Sequence, residues 1–200
     1  MAEKFDPANW HKLENPDRLK ELPPEVVAGM LRLGGAETLV DFGAGTGMYT
    51  IPLARLLPRG RVLAVEELPE LLARMAEKLA QPENAGLGER IVPVQTDGKK
   101  VPLPDGAADR VLALNVIHHI HDDSSALGEI VRLLRPGGLL AVIDFGRIDR
   151  PVGPPKDRVL PHDEVRAIVT AGMGLRELEY HEPGDVVPYH LIVVGEKPAG

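Results

Sequence analysis

The chain has 200 residues, of which 44% are hydrophobic and none is cysteine, and its formal net charge is −7. This length suits one soluble globular domain, and the lack of cysteine excludes disulfides, thiolate zinc sites and a cysteine nucleophile. The negative charge disfavours nucleic acid as a partner, and the lack of a signal pattern or a long apolar run predicts a cytoplasmic protein without membrane insertion.

An N-terminal arm, residues 1–34, precedes the first predicted strand. A helix is predicted over residues 24–33 of this arm, where the spacing of the apolar residues is helical. The arm either packs on the edge of the domain or covers a substrate as a lid. Residues 35–200 are expected to form a single domain.

Short apolar runs alternate with segments of helical spacing from Thr38 onward, which is typical of βαβ units. The predicted strands are residues 39–42, 61–65, 91–95, 110–114 and 139–145. The intervening helices, near residues 68–79 and 127–134, place apolar side chains at intervals of three and four. Each of these helices is therefore expected to lay one face on the sheet.

The pattern changes after the fifth predicted strand. A helix is predicted over residues 161–171, followed by strand-like runs at 175–180 and 186–194 that are separated by turn-forming residues. These two runs predict a β-hairpin. The predicted fold class is therefore α/β, with a seven-stranded sheet that is mostly parallel, an antiparallel C-terminal strand, and helices on both faces.

A glycine loop, Asp-Phe-Gly-Ala-Gly-Thr-Gly at residues 41–47, follows the first strand directly. Glycines between a strand and a helix let the backbone approach a ligand, and the free N–H groups at the helix start favour an electronegative group. Gly43, Gly45 and Gly47 fit this role. The loop alone is a weak signal, because any tight strand-to-helix turn favours glycine.

Acidic residues follow the second and third strands. Glu66 comes 19 residues after Gly47, where a parallel sheet brings its carboxylate beside the glycine loop and within reach of two ribose hydroxyls. The adjacent Glu67 is interpreted as a solvent-facing residue at the start of a helix. Asp97 either accepts a hydrogen bond from an exocyclic amine or only forms an Asp-Gly turn.

These residues resemble the class I S-adenosylmethionine-dependent methyltransferases, and especially their small-molecule branch, which includes ubiquinone/menaquinone-biosynthesis enzymes. Four segments carry the resemblance in the family's order, VDFGAGTG, AVEELPELL, TDG and LRPGGLLAVIDF. The resemblance implies a Rossmann-like fold, S-adenosyl-L-methionine as cofactor and S-adenosyl-L-homocysteine as product. It also implies in-line methyl transfer to a small-molecule acceptor, but no segment identifies that acceptor.

The same resemblance implies a set of cofactor-binding residues, namely Asp41, Gly43, Ala44, Gly45, Gly47, Glu66, Asp97 and Asn115. In the family, the position of Asp41 meets the amino group of the cofactor directly or through water, and the positions of Gly43 and Gly45 meet its methionine portion. The positions of Glu66 and Asp97 meet the ribose and the adenine ring, and that of Asn115 lines the methyl-donor pocket.

Histidines are concentrated after the fourth strand, in residues 115–123. His118 and His119 are the candidate catalytic residues, because an imidazole there could contact the acceptor or take its proton. The alternative is that each histidine only packs or caps. No metal site is expected, since ligand type without geometry says little.

Two other functions compete with methyl transfer. A nicotinamide-dependent oxidoreductase also uses a glycine loop and an acid, but its spacing is Gly-x-Gly-x-x-Gly and not the Gly-x-Gly-x-Gly found here. About 55 residues remain after the fifth strand, too few for a separate catalytic domain. A non-catalytic domain that binds S-adenosylmethionine remains the second alternative.

Overall fold

Seven strands form one sheet in the computed structural model, which describes residues 5–151 and 153–199. The strands are β1 (Thr38–Phe42), β2 (Arg61–Glu66), β3 (Ile91–Gln95), β4 (Ala108–Leu114), β5 (Leu134–Phe145), β6 (Arg176–His181) and β7 (His190–Glu196). Their order is β3-β2-β1-β4-β5-β7-β6, and β7 pairs antiparallel with both of its neighbours. The remaining pairs are parallel. The predicted α/β class and the C-terminal hairpin are confirmed.

Helices connect the strands and precede the first of them. The α-helices are α1 (Asp17–Glu21), α2 (Pro24–Met30), α3 (Thr50–Arg55), α4 (Pro69–Leu79), α5 (Ile117–Ile120), α6 (Ser124–Leu133) and α7 (His162–Ala167). Four 3₁₀ segments, Pro7–Glu14, Pro82–Asn84, Leu87–Glu89 and Lys156–Arg158, and a π-helical turn, Ile168–Gly172, complete the described helical structure. None of these described helices has both the length and the apolar character needed to cross a membrane.

Two hydrophobic cores lie on opposite faces of the sheet. On β5, Ala141 and Ile143 contribute to one core, while Leu140 and Val142 contribute to the other, because successive side chains of a strand point to opposite faces. The first core also takes residues from α2, α3 and α4, and the second takes residues from α5, α6 and α7. Helices therefore cover both faces, as the sequence predicts.

The chain reverses its direction across the sheet at β1, which lies between β2 and β4. In open α/β sheets, ligands bind at such a switch point, outside the carboxyl ends of the strands. The glycine loop begins at this end of β1, and Glu66 is the last residue of the neighbouring β2. The fold thus brings these two predicted features to one edge of the sheet.

Two strands, β5 and β7, begin well away from the positions that the sequence pattern indicates, whereas the other strands begin within two residues of them. β5 starts at Leu134 and not at 139, because the Arg-Pro-Gly-Gly stretch already runs along β4 through an irregular register. Gly138 permits this close approach, since a Cβ there would stand 2.9 Å from the Asp109 carbonyl oxygen. β7 starts at His190 and not at 186, because Gly184 N–H bonds the Val187 carbonyl in a turn.

The described part of the N-terminal arm is folded against the domain. Leu22 is fully buried in the first core. The Tyr49 hydroxyl bonds the Leu22 carbonyl at 3.0 Å, and Lys78 on α4 pairs with Glu14 at 2.9 Å. The arm is therefore anchored both next to the glycine loop and on α4.

Candidate active site

A cavity of about 530 Å³ lies at the carboxyl ends of β1, β2 and β4. The glycine loop forms one part of its wall, and Glu66 and Asn115 form others. The N-terminal arm contributes Phe5, Leu13 and Arg18 to the wall of this cavity. A concave site with a few convergent polar groups at a switch point is the usual form of a small-molecule site.

The glycine loop needs its glycines for close packing. Gly43, Gly45 and Gly47 have φ angles of 80°, 56° and 79°, a left-handed conformation that favours glycine. A Cβ on Gly43 would stand 2.5 Å from Val116, and one on Gly47 would stand 2.7 Å from Met75. Gly43, Ala44 and Gly45 lie on the cavity wall, whereas Gly47 is not among the lining residues. Gly47 therefore allows Met75 of α4 to pack closely against the loop.

The Glu66 carboxylate is buried beside the loop, as the strand-end rule predicts. Its Oε2 accepts the Gly45 N–H at 2.8 Å, and its Oε1 accepts the N–H groups of Glu67 and Leu68 at 2.8 and 3.0 Å. Burial raises the pKa of this carboxyl. Glu67 also lines the cavity, so the structure does not leave it facing only solvent.

Asp41 is the most enclosed acid among those that line the cavity. Its carboxylate is 3% exposed and accepts a hydrogen bond from the Thr50 hydroxyl at 2.5 Å, yet it still lines the cavity. Burial raises the pKa of Asp41 to about 6, and the nearby Glu66 carboxylate adds to this rise. Burial disfavours the ionised form of this carboxylate, so a cationic ligand group placed beside it would stabilise that form.

Two buried polar atoms on the cavity wall have no hydrogen-bond partner within the described part of the chain. They are the hydroxyl oxygen of Thr46 and the amide oxygen of Asn115. Asn115 also has a left-handed φ of 55°, which costs a non-glycine residue about 1 kcal/mol or more and is concentrated at functional sites. Because buried polar groups are nearly always paired, and because both residues line the cavity, a bound ligand is one partner that these two atoms could take.

Asp97 is not brought to the cavity. Its exposed carboxylate accepts the N–H groups of Lys99 and Lys100 at 2.9 and 3.0 Å, and these bonds lower the pKa of Asp97. Gly98, at φ 79°, completes the turn and lines the cavity, whereas Asp97 does not. The structure thus has the Asp-Gly turn that was the alternative interpretation of this pair.

The histidine segment forms α5 and the turn after it. His118 Nδ1 lies 2.7 Å from Asp144 Oδ1. The other carboxylate oxygen of Asp144 accepts the backbone N–H of His118 at 3.1 Å. Asp144, the next-to-last residue of β5, is 2% exposed. The ring of His119 lies 4.0 Å from that of His118 and is on the cavity wall. In residues 5–151 and 153–199, no group of three or more acids and histidines has a metal-binding arrangement.

Comparison with known proteins identifies the family. A family model described as a methyltransferase domain matches residues 40–142, which is more than half of the chain. This chain belongs to the methyltransferase domain family. That membership decides against the oxidoreductase alternative.

Three known proteins illustrate what this methyltransferase domain is similar to. A crystal structure of a SAM-dependent methyltransferase from Aquifex aeolicus is 29% identical, with a TM-score of 0.85, and covers 96% of this chain and 98% of its own. The 27-O-demethylrifamycin SV methyltransferase of Amycolatopsis mediterranei is 29% identical over 78% of this chain and 55% of its own length. The demethylmenaquinone methyltransferase of Thermus thermophilus is 34% identical over 54% and 46%, respectively. The chain spans about half the length of these two curated relatives.

The residues of the cavity fit S-adenosylmethionine, the cofactor of this methyltransferase family. The cofactor carries an ammonium group, a carboxylate and two ribose hydroxyls, and the cavity presents the Asp41 and Glu66 carboxylates beside a glycine cradle. The oxygens of Thr46 and Asn115, which have no partner among the described residues, are available for further contacts. Sequence reasoning did not single out Asp144 or Thr46, although Asp144, like Glu66, is an acid near a strand's carboxyl end.

Proposed function

We propose that this chain transfers a methyl group from S-adenosylmethionine to a small-molecule acceptor, with His118 as the group that takes the acceptor's proton. When bound, the cofactor supplies a methyl group on a sulfonium centre, an electrophile with a good leaving group. No nucleophile from the protein is therefore required. The family membership and the fit of the cavity to the cofactor support the first part of this proposal.

The observation that carries the second part is the contact between His118 and Asp144. Asp144 Oδ1 lies 2.7 Å from His118 Nδ1 and also accepts the Phe145 N–H at 2.7 Å, so the carboxylate is fixed by the backbone. A carboxylate at Nδ1 favours the tautomer with its proton there, which leaves the lone pair on Nε2. His118 Nε2 has no hydrogen bond within the described residues. The arrangement suits a general base. His118 does not itself line the cavity, so this role requires the acceptor to reach its Nε2 past His119, which does.

The remaining residues align the reactants and exclude water. We assign contact with the acceptor to His119, which lies on the cavity wall and packs against His118. The cofactor-binding role stays proposed for Asp41, Gly43, Ala44, Gly45, Glu66 and Asn115. For Gly47 and Asp97 it stays a prediction that the cavity wall does not support, since neither lies on it.

A small organic acceptor is proposed from two observations. Two relatives are named for methylating a demethylrifamycin and a demethylmenaquinone, both small organic molecules. The arm closes the cavity with Phe5 and Leu13, and we propose that it acts as a lid over the bound molecules. A cytoplasmic location and the absence of a nucleic-acid partner stay predictions from the sequence.

The affinity for the cofactor is expected to depend on the ionisation of Asp41, whose pKa burial raises to about 6. Because folding raises the pKa of Asp41, its contribution to the stability of the ligand-free protein is complete only below pH 3.8, the ordinary pKa. That contribution is lost as the pH rises through about 6, where Asp41 ionises in the folded protein. The ammonium group of the ligand needs the ionised form. Calorimetry is therefore expected to give an affinity for S-adenosylhomocysteine about tenfold lower near pH 5 than near pH 7.

Asp41→Asn is the matched control for this pH dependence. It keeps a partner for Thr50 but cannot ionise, so we expect a weaker affinity that no longer changes across this range. A wild-type affinity that is equal at both pH values would exclude Asp41 as the ligand of the ammonium group.

The proposed function is tested by binding and by transfer. Calorimetry should detect binding of S-adenosylhomocysteine, and methyl-labelled S-adenosylmethionine with a cell extract should label the small-molecule fraction. Added S-adenosylhomocysteine, the product, should suppress the labelling. Binding without transfer to any fraction would favour the non-catalytic alternative, and labelling of nucleic acid alone would contradict the acceptor class.

A further inference from the structure

Arg18 places a positive charge in the wall of the cofactor cavity. It belongs to α1 in the arm, and its side chain lines the same cavity as Gly45 and Tyr49. The Tyr49 hydroxyl bonds the Arg18 carbonyl at 3.0 Å, which ties α1 to the start of α3. Leu13, also in the arm, approaches the loop closely, since a Cβ on Gly45 would stand 3.4 Å from it. The backbone of Arg18 is thus held near the glycine loop, and its side chain lines the same cavity as that loop.

The guanidinium of Arg18 has no acidic partner among the described residues. Its Nη1 donates to the Leu13 carbonyl at 3.1 Å, and no carboxylate of residues 5–151 or 153–199 pairs with it. Glu14, the nearby acid, is paired with Lys78 at 2.9 Å. Burial lowers the pKa of Arg18, although the charges of Glu14 and Glu21 oppose this. A cation held in this way is stabilised by a bound anion.

The charges around the cavity are unevenly distributed. Besides Arg18 and Lys99, the charged side chains on the wall are the carboxylates of Asp41, Glu66, Glu67, Asp122, Asp123 and Glu129. These acids suit the two positive groups of S-adenosylmethionine and repel its carboxylate. Lys99 lies beyond the end of β3, in the turn after Asp97. The wall therefore offers a carboxylate the guanidinium of Arg18 on the arm and the unpartnered hydroxyl of Thr46 in the glycine loop.

We infer that Arg18 binds a carboxylate in this cavity, with the Thr46 hydroxyl as a second donor, and that the amino-acid end of the cofactor supplies it. A guanidinium presents parallel N–H groups that match a carboxylate, which a hydroxyl donor complements. The inference rests on the proposed function, because it takes S-adenosylmethionine as the ligand. A carboxylate on the acceptor is the other source of the same chemistry.

Calorimetry with S-adenosylmethionine and its decarboxylated form tests the inference, because the two compounds differ only in the carboxylate. The wild type should bind S-adenosylmethionine roughly 10- to 30-fold more tightly. Arg18→Gln should lose this preference and bind the decarboxylated form as the wild type does. Arg59→Gln, which changes an exposed arginine outside the cavity wall, is the control and should keep it.

A second titration distinguishes the acceptor as the source. Benzoate and benzamide are titrated into protein saturated with S-adenosylhomocysteine. Benzoate binding that Arg18→Gln abolishes, with the affinity for S-adenosylmethionine unchanged, would move the carboxylate to the acceptor. Unchanged affinity together with no benzoate binding overturns the inference.

The wild type alone provides a measurement if Arg18→Gln does not fold. Equal binding of S-adenosylmethionine and its decarboxylated form, with no benzoate binding, would overturn the inference without any variant. A wild type that binds neither S-adenosylmethionine nor S-adenosylhomocysteine would instead contradict the proposed function. The two failures are therefore distinguishable.

Discussion

Replacing His118 with alanine is expected to lower kcat about 100- to 10,000-fold, which is the usual contribution of a positioned general base. The affinity for S-adenosylhomocysteine should change by less than about twofold, because His118 is not among the residues that line the cofactor cavity. Labelled-methyl transfer and calorimetry on the same preparations measure the two quantities. His181→Ala, on the edge strand β6, is the matched control and should retain the wild-type rate.

Asp144→Asn tests whether the contact between Asp144 and His118 matters for catalysis, and not only the imidazole ring of His118. Asp144 acts through His118, so it is a positioning residue, and its amide replacement should lower kcat about 100-fold or more while KM stays nearly constant. His119→Ala should mainly raise the KM for the acceptor, because its ring is on the cavity wall. Unchanged rates in both His118→Ala and His119→Ala would retire the proposal that this segment is catalytic.

Replacing Glu66 with alanine is expected to weaken the binding of S-adenosylhomocysteine about 100-fold, which corresponds to two hydrogen bonds to a charged group less the cost of rearrangement. The carboxylate is already fixed beside the loop by the N–H groups of Gly45, Glu67 and Leu68. Little further ordering is therefore needed when a ribose binds. Calorimetry measures the difference.

Glu67→Ala is the control for Glu66, because the two acids are adjacent and both line the cavity. The assignment of the ribose to Glu66 predicts that Glu67→Ala weakens binding by less than about threefold. A larger loss in Glu67→Ala than in Glu66→Ala would reverse the assignment of the two residues.

Most of the fold follows from local patterns in the sequence. Short apolar runs that alternate with segments of helical spacing are sufficient to predict a doubly wound parallel sheet, and the turn residues at 182–185 predict the hairpin of β6 and β7. The start of β5 could not be predicted in this way. A Pro-Gly-Gly stretch is typical of a loop, and only its contact with β4 keeps it in the sheet.

The candidate site was predictable where position alone decides a residue's role. Glu66 is at a strand end. The N–H groups of Glu67 and Leu68 bond one of its carboxylate oxygens, but the other accepts the Gly45 N–H and keeps the carboxylate at the glycine loop. Asp97 is also just beyond a strand end, but the N–H groups of Lys99 and Lys100 capture its carboxylate. Short acidic side chains often bond nearby backbone in this way, and sequence alone does not say which bond they make.

The pair of His118 and Asp144 illustrates the opposite limit. The two residues are 26 positions apart, on α5 and β5, and they meet because β4 and β5 are neighbours in the sheet. Nothing in the sequence near His118 indicates that Asp144 is its partner, and nothing near Asp144 indicates His118. The contact depends on the direction in which α5 leaves β4, which becomes known only from the structure.

The position of β7 between β5 and β6 determines when the domain can finish folding. Residues 139–145 of β5 gain their second neighbour only when residues 190–196 pair with them. Without this strand, β5 would form an open sheet edge, and its backbone groups that pair with β7 would have no partner strand. Chain termination before His190 would therefore leave a template for aggregation, so the C-terminal strand protects a site to which it contributes little.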